Sequence, residues 1–375
     1  MRIGVDTRVL VNEKGPRFRN YTWQLLQHLP QQYSKHQFYS FSDDENNDLM
    51  QGLDNITAIS ITPRAINFLT LKWWYDVKLS LALKKYKIDV LICPNGICSL
   101  TTKVPQVLIF QQLNFSAKTS FANAKTLSFY KKYTASFVKK AKVVATVSQN
   151  LKDEIVKRYL KKPEEITVTG LGVPAFFKPV EWEEREAIKE QYAEGFEYFI
   201  FTGGLRPADN LVGVLKAFSL FKKWQKSGMK LLITAMDDTY LQRELEKLNT
   251  YKYRKDVFVK SNLSEPEIPK LVAAAYAAIY TPLSNAFATV VLEALQSEVP
   301  VIASTGNNIE EVAGESALFV NPSKPEEIAE AMKTVFKDEN LRNKLIETGK
   351  QHAATFNPDK SIQVISQLIE AAVCK

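Results

Sequence analysis

One stretch of the sequence suits the binding of a phosphorylated sugar. It combines an apolar strand, the predicted start of a helix and a single glutamate in that helix. Residues 277–280 have the apolar sequence of a strand, and after a short loop we expect a helix to begin near Ala288 or Thr289. The free N–H groups at such a helix start, on Ala288, Thr289 and Val290, favour a phosphate. Glu293 falls in the second turn of this helix, where its carboxylate could accept hydrogen bonds from sugar hydroxyls.

Strand-like and helical segments alternate along the whole chain. Such alternation predicts α/β architecture with parallel, doubly wound sheets. The alternation breaks near residues 172–179 and restarts at Tyr198, after a strongly charged segment. We therefore predict a first domain at residues 1–179, a second at 180–355 and an amphipathic C-terminal helix at 356–375.

The positive charge is concentrated in the first half. The net charge is +8, and residues 101–150 contain eight lysines and no acid. A field of this sign attracts anionic partners, here an anionic glycan or lipid-linked acceptor. No apolar run is long enough to span a membrane, and Asp6 interrupts what would be the core of a signal peptide, so we expect a cytoplasmic protein.

The sequence gives little support for a metal site, a disulfide framework or a nucleic-acid site. The three cysteines, Cys93, Cys98 and Cys374, lack the spacing of a zinc site or a disulfide framework, and we expect reduced thiols and no metal. The interleaved aromatic and basic residues of a strand-binding sheet are absent, which argues against nucleic acid. The pair Trp73-Trp74, with Lys72 and Lys78, suits either a peripheral membrane contact or a helix with one Trp in the core.

The order of several motifs resembles that of the family-4 glycosyltransferases of the GT-B fold. The matching segments extend over most of the chain: residues 145–154, 163–166, 172–179, 203–218, 280–295 and 310–322. The resemblance implies two Rossmann-like domains facing a cleft, with the final helix returning to the first domain. It also implies transfer of a sugar, with retention of configuration, from a nucleotide diphosphate donor without a required metal or cofactor.

The resemblance assigns roles to residues on the donor side. The family has two glutamates eight positions apart, the first beside the donor sugar and the second on the ribose hydroxyls; the matching residues here are Asn285 and Glu293. Two glycines of the intervening loop are replaced by Ala286 and Ala288. These matches place Asn285 at the reacting sugar and Glu293 on the nucleotide.

The cations that the family uses on the donor diphosphate are replaced. An Arg and a Lys of the family match Gly204 and Asp209, and Arg206 is the cation that could reach the gap. An anion at the Lys position would repel a diphosphate strongly. The alternative role for Asp209 is that of an N-cap for the predicted helix 211–224.

The first domain departs from the family as well. Its glycine-rich loop reads Gly-Pro-Arg-Phe-Arg-Asn-Tyr at residues 15–21, so Arg17 and Arg19 either form a rebuilt anion loop or fill the site. The family's His-Asp pair matches Gln111-Gln112, and an amide binds a sugar hydroxyl but carries no proton near neutral pH. Three functions stay open: a glycosyltransferase, a catalytically silent homologue that binds a partner, and a sugar- or nucleotide-binding module.

Overall fold

Two α/β units make up the chain, whose computed structural model describes residues 1–12, 21–44, 55–113, 124–170, 172–202, 207–235, 246, 249–261, 263–283 and 288–374. Unit 1 comprises Met1–Gly172 and Asn357–Lys375, and unit 2 comprises Val173–Phe356. Residues 173–179, which the sequence pattern assigns to the first domain, group with unit 2 in this division. The predicted fold class, two doubly wound Rossmann-like domains, is confirmed.

The sheet of unit 1 is parallel throughout its described strands. Within the described residues it has seven strands: β1 Arg2–Asp6, β2 Gln37–Ser42, β3 Ile56–Ser60, β4 Val90–Cys93, β5 Gln106–Phe110, β6 Val143–Thr146 and β7 Ile166–Val168. Their order is β3-β2-β1-β4-β5-β6-β7, so the winding direction reverses between β1 and β4. Strands β4 and β5 are buried along their full length, as expected where helices cover both faces of a parallel sheet.

Helices flank this sheet. Over the described residues of this part of the chain, the α-helices are α1 Arg8–Asn12, α2 Tyr21–Gln32, α3 Phe68–Trp73, α4 Ser80–Lys85, α5 Ala124–Lys140 and α6 Gln149–Tyr159. A π-helical turn, Trp74–Leu79, joins α3 to α4, and we call the resulting continuous element helix 68–85. Helix α6 begins after Ser148, its N-cap residue, whose Oγ accepts a hydrogen bond from the Leu151 N–H at 3.3 Å.

Unit 2 repeats the architecture with a smaller sheet. Its described residues form six parallel strands: β8 Tyr198–Thr202, β9 Lys230–Thr234, β10 Val257–Lys260, β11 Ala277–Tyr280, β12 Val301–Ser304 and β13 Ala317–Val320. The order β10-β9-β8-β11-β12-β13 places the reversal of winding between β8 and β11.

The helices of unit 2 bury an aromatic core against this sheet. Those whose bounds are described are α7 Trp182–Ala193, α8 Leu211–Trp224, α9 Glu267–Ala273, α10 Thr289–Gln296, α11 Asn307–Ala313, α12 Pro325–Lys337 and α13 Glu339–Ala353. Helices α8 and α12 pack together, and Phe199 of β8 meets Phe221 of α8 edge to face with ring centroids 5.3 Å apart. Edge-to-face pairs add to the stability that burial alone provides.

The final helix, α14 Pro358–Val373, belongs to unit 1. It packs on α2 and on strands β4 to β6, and its Ser361 hydroxyl donates to the Thr169 carbonyl at 2.6 Å. Gly172 lies against the start of this helix, where a Cβ would come within 2.6 Å of the Pro358 Cα, so only glycine fits there. Among the described helices, none is long and apolar enough to cross a membrane.

Candidate functional site

The carboxyl ends of β8 and β11 lie side by side where the winding of the second sheet reverses. The loops that leave two such strands turn toward opposite faces of the sheet, and ligands of open α/β sheets bind in the crevice between them. The predicted donor residues follow these two strands, at positions 204–209 after β8 and 285–293 after β11. The strand ends from which both predicted segments leave therefore lie at one place in unit 2.

Asn210 ties the loops around this crevice together. Its side-chain Nδ2 donates to the Thr281 carbonyl after β11 at 3.0 Å and to the Pro322 carbonyl after β13 at 2.7 Å. A backbone bond from Leu283 N–H to the Ala208 carbonyl, 2.8 Å, adds a second link between the loops after β8 and β11. Sequence reasoning missed Asn210 as a site residue, although an Asn directly before a predicted helix was visible.

The backbone around Asn210 suits this role. Asn210 has a φ of 68°, in the left-handed region that Asn tolerates better than most residues, and it is the N-cap residue of α8 without a side-chain cap bond. The alternative that Asp209 is this N-cap is therefore wrong. Gly213 lies beneath the Asn210 side chain, where a Cβ would come within 2.4 Å of the Asn210 Oδ1. A buried amide held by two hydrogen bonds cannot move aside cheaply, which explains the glycine.

Helix α10 opens at the crevice as the sequence predicts. It begins at Thr289 with Ala288 as its N-cap residue, and the first backbone bond runs from the Val291 N–H to the Ala288 carbonyl at 3.0 Å. The N–H groups of Thr289 and Val290 precede that bond and carry the positive end of the helix dipole. Ala288 is buried with a φ of −95°, so alanine is accommodated where the family has glycine.

Glu293 lies in the second turn of α10, and its side chain is buried, with 1% of the residue exposed. A carboxylate at such a position forms stronger hydrogen bonds than one in water because the local dielectric is low. Its backbone carbonyl accepts from the Ser297 hydroxyl at 2.8 Å, which anchors the C-terminal end of the helix. Sequence and structure agree on its position, and its contact with a nucleotide stays a prediction.

Several predicted site residues lie outside the described residues: Arg17, Arg19, Gly204, Arg206 and Asn285. Their assigned roles stay predictions. Asp209 is described and half-buried, at the end of a 3₁₀ turn formed by Pro207–Asp209. Asp209, the anion at the position where the family has a lysine, therefore lies in the loop after β8, one residue before Asn210.

In unit 1, Gln111 directly follows β5. Its Nε2 donates to the Pro94 carbonyl at 2.7 Å, and Pro94 directly follows the neighbouring strand β4. The Gln111 side chain thus joins the carboxyl ends of two adjacent strands. Its amide oxygen is the atom that can accept a hydrogen bond from a sugar hydroxyl.

A buried polar network occupies the carboxyl ends of β1 and β2. The Tyr75 hydroxyl donates to the Asp6 Oδ2 at 2.5 Å, and the Arg8 N–H donates to the Asp6 Oδ1 at 3.1 Å. The Arg8 Nε forms an ion pair with the Asp43 Oδ2 at 2.8 Å. Sequence reasoning missed this network, whose visible signal was an acid, Asp6, closing an apolar strand.

Burial controls the titration of this network. It raises the pKa of Asp6 although the hydrogen bond from Tyr75 and the charge of Arg8 act in the opposite direction. It also raises the pKa of the Tyr75 hydroxyl, with the Asp6 charge adding to the effect. Tyr75 therefore remains a hydrogen-bond donor throughout the physiological pH range.

Both units match known families. Residues 183–352 match Glycosyl transferases group 1, and residues 19–175 match Glycosyltransferase Family 4. Together the two matches extend over most of the chain, and they correspond closely to the two structural units.

Several known proteins resemble the chain, and three of them illustrate the similarity. The O-antigen chain mannosyltransferase B of Escherichia coli is 23% identical over 221 residues, covering 58% of this chain and 57% of that protein, less than two thirds of its length. The O-antigen chain mannosyltransferase RfbU of Salmonella typhimurium is 25% identical over 265 residues, 70% of each chain. A crystal structure of Anabaena Alr3699/HepE with UDP and glucose has 13% sequence identity, covers 99% of both chains and has a TM-score of 0.78.

The folds, the family matches and the arrangement of β8, β11 and α10 agree with the resemblance seen in the sequence. The chain therefore belongs to the glycosyltransferases of the GT-B fold, of the family-4 type.

Proposed function

We propose that the protein transfers a sugar from a nucleotide diphosphate donor to an anionic glycan or lipid-linked acceptor, with retention of configuration. The observation that carries this proposal is the start of α10, which presents backbone N–H groups beside β11 with Glu293 one turn further on. A donor held there would have its diphosphate at the helix N-terminus and its ribose toward the carboxylate.

The chemistry follows from these groups. Negative charge develops on the leaving diphosphate, and the N–H groups of Thr289 and Val290 with the dipole of α10 would stabilise it without a metal ion or other cofactor. Arg206 would add a cation. Asn285 and Gln111 end in amides that do not titrate, so they would position the sugar by hydrogen bonds instead of transferring a proton.

The names of the relatives suggest which sugar donors to test first. Two of them are named as mannosyltransferases of the O-antigen chain, and the Anabaena structure contains UDP and glucose. We therefore propose polysaccharide synthesis on the cytoplasmic side of a membrane, with peripheral membrane contact, and place GDP-mannose and UDP-glucose first among the donors to test.

The test begins with binding, which needs no knowledge of the acceptor. A donor that binds the folded state raises the thermal midpoint, because it stabilises that state by RT ln(1 + L/Kd), where L is the free donor concentration. We expect Glu293→Ala to weaken that donor about 10- to 150-fold, because hydrogen bonds to a charged group contribute about 1.5–3 kcal/mol. Glu293→Gln keeps the shape and removes the charge, which separates lost binding from lost folding. If both variants bind the donor like the wild type, Glu293 does not contact it.

One observation favours a second candidate, a catalytically silent homologue that binds a partner. Asp209 places a carboxylate in the loop after β8, where the family has a lysine, and an anion there opposes diphosphate binding. Release of nucleotide diphosphate with turnover, in a screen of donors, distinguishes the two. Turnover that disappears in Glu293→Ala contradicts the silent alternative, and donor binding without turnover supports a binding module.

A further inference from the structure

Four large apolar side chains line up on the solvent side of helix 68–85, and a fifth lies just before the helix. Leu69, Trp73, Val77 and Leu81 follow one another at intervals of four residues, and Ile66 directly precedes the N-cap residue, Asn67. Helical residues three or four apart are neighbours on one face. All five are exposed, from 42% for Trp73 and Val77 to 83% for Leu69. We call these five residues the apolar stripe.

The π-helical turn keeps the apolar stripe on one face. In an α-helix of 3.6 residues per turn, side chains four residues apart drift steadily around the axis. A π-helical turn has i→i+5 bonds and holds more residues, so it turns less per residue and compensates that drift. The turn Trp74–Leu79 lies in the middle of the stripe, between Trp73 and Leu81.

The opposite face of helix 68–85 fixes its rotation. Trp74, Leu79 and Leu83 are fully buried, and the Trp74 Nε1 donates to the Ile61 carbonyl at 2.9 Å. At the N-terminal end, the Asn67 Oδ1 accepts from the backbone N–H groups of Leu69 and Thr70 at 3.0 Å each. Because the core and the cap hold the helix, the apolar stripe cannot turn inward to bury itself.

Lysines border the apolar stripe. Helix 68–85 carries four lysines and one acid, and α5 carries five lysines and no acid. The one acid, Asp76, forms an ion pair with Lys72 and accepts from the Leu100 N–H at 2.7 Å. Helix α5 packs beside α3, where the rings of Phe68 and Phe129 stack with centroids 5.3 Å apart. The surface around the stripe is therefore positively charged.

Three lysine ammonium groups lie over aromatic rings of helix 68–85 and of the neighbouring α5. Lys78 Nζ lies 5.0 Å from the centroid of the Trp73 ring. Lys72 of helix 68–85 and Lys132 of α5 both approach the Tyr133 ring, each Nζ 5.3 Å from its centroid. Long lysine side chains of this kind cover apolar surface with their stems and keep their charge in the polar layer.

We propose that the apolar stripe and its bordering lysines form a docking surface for an anionic lipid bilayer, with helix 68–85 lying in the plane of the interface. A helix with Leu and Trp on one face and lysines beside them binds at the boundary of headgroups and acyl chains. Anionic headgroups attract the lysines. A second copy of the chain fits less well, because a symmetric pairing would bring the same lysines together.

The proposal rests on the peripheral membrane contact of the proposed function and names its surface and its lipid, and it holds whether or not the chain is catalytically active. The experiment is co-sedimentation of the full chain with vesicles of phosphatidylcholine alone or with about one third phosphatidylglycerol, without donor or acceptor. We expect binding only to the anionic vesicles, weakened by added salt. Leu69→Ser/Leu81→Ser should lower the partition coefficient at least tenfold, and Lys84→Gln/Lys85→Gln about fivefold for each lysine.

Matched controls come from the same chain. Leu160 is 90% exposed at the C-terminal end of α6, outside helix 68–85, so Leu160→Ser removes an exposed leucine without changing a residue of the stripe. Lys223→Gln/Lys226→Gln removes two exposed lysines from unit 2. Both controls should bind anionic vesicles like the wild type.

Three results would overturn the proposal. The first is a wild type that does not bind anionic vesicles, and the second is a Leu69→Ser/Leu81→Ser variant that binds them undiminished. The third is a lipid-free dimer that this variant converts to a monomer, which would assign the apolar stripe to a second copy of the chain. Circular dichroism of each variant establishes that it is folded, as expected for changes at exposed positions.

Discussion

The side-chain amide of Asn210 donates to the backbone carbonyl of Thr281 at 3.0 Å and so connects the loops that follow β8 and β11. Its second bond reaches the Pro322 carbonyl, after β13, at 2.7 Å. One buried side chain thus holds three loops at the carboxyl edge of the second sheet. The start of the loop after β11, at Thr281, takes its position from this amide.

Two substitutions of Asn210 should distinguish the contribution of its hydrogen bonds to stability from that of its backbone conformation. Glycine adopts the φ of 68° freely, so Asn210→Gly removes mainly the two bonds and should cost about 1–3 kcal/mol in the free energy of unfolding. Asn210→Ala should cost about 1–2 kcal/mol more, because alanine is strained in the left-handed region. Urea unfolding followed by circular dichroism measures both. An Asn210→Gly variant as stable as the wild type would show that the two bonds contribute nothing.

The two adjacent tryptophans should differ sharply in their contribution to stability. Trp74 is fully buried and donates a hydrogen bond to Ile61, whereas Trp73 is 42% exposed. We expect Trp74→Ala to lower the free energy of unfolding by about 3–5 kcal/mol and Trp73→Ala to change it by less than about 0.5 kcal/mol. Equal losses in urea titrations of the two variants would contradict the assignment of Trp74 to the core.

The thiols should divide into two classes. Cys374 is exposed, whereas Cys93 and Cys98 are buried. Burial raises the pKa of the Cys98 thiol to about 12 and that of Cys93 well above its ordinary value, and only the thiolate reacts. We therefore expect Ellman's reagent to modify one thiol per folded chain quickly and the other two only in denaturant. Cys374→Ser should abolish the fast reaction; a fast reaction that survives this change would place a reactive thiol elsewhere.

Local patterns were enough to predict several elements. The bounds of α8, Leu211–Trp224, agree with the prediction, and α10 begins where expected, because apolar periodicity and a preceding loop mark these helices. Strands β4 and β5 can be recognised from the sequence because fully buried parallel strands are nearly continuous apolar runs. Strands β2 and β3 were missed. Their residues mix polar and apolar types, and they extend the sheet through pairing beyond β1.

The residues of the candidate site also fall into two groups, those that local sequence predicts and those that it does not. The positions of Glu293 and of the start of α10 follow from a short stretch of sequence, so both could be predicted. Asn210 could not be recognised, since its two partners lie 71 and 112 residues away in the chain. The network of Asp6 with Tyr75 likewise joins residues 69 positions apart. No local pattern carries such information.

Asp6 should make stability depend on pH. Burial raises its pKa in the folded state above the unfolded value, so the folded state holds this proton more tightly. The contribution of Asp6 is therefore most favourable below the unfolded pKa of about 4, and it declines as pH rises from there toward the folded pKa. Asp6→Asn cannot titrate and should remove this decline, although Arg8, Asp43 and Tyr75 remain beside it. Denaturant unfolding from about pH 4 to 7 measures the effect; parallel profiles for the two proteins would contradict it.

The charge at Asp209 should limit donor binding. Asp209 ends the 3₁₀ turn after β8, and a carboxylate about 4 Å from a diphosphate charge is repelled by roughly 4 kcal/mol at an effective dielectric near 20. We expect Asp209→Lys to tighten nucleotide diphosphate binding at least tenfold in calorimetry, with Asp209→Asn intermediate because it removes repulsion without adding attraction. Glu190→Lys makes the same charge change at an exposed position of α7 and should leave affinity unchanged.

Two outcomes would contradict this prediction. If Arg17, Phe18 and Arg19 instead fill the site, as the second interpretation of loop 15–21 holds, Asp209→Lys will not improve binding. Equal gains in Asp209→Lys and Glu190→Lys would show that net charge, and not a cation after β8, governs affinity.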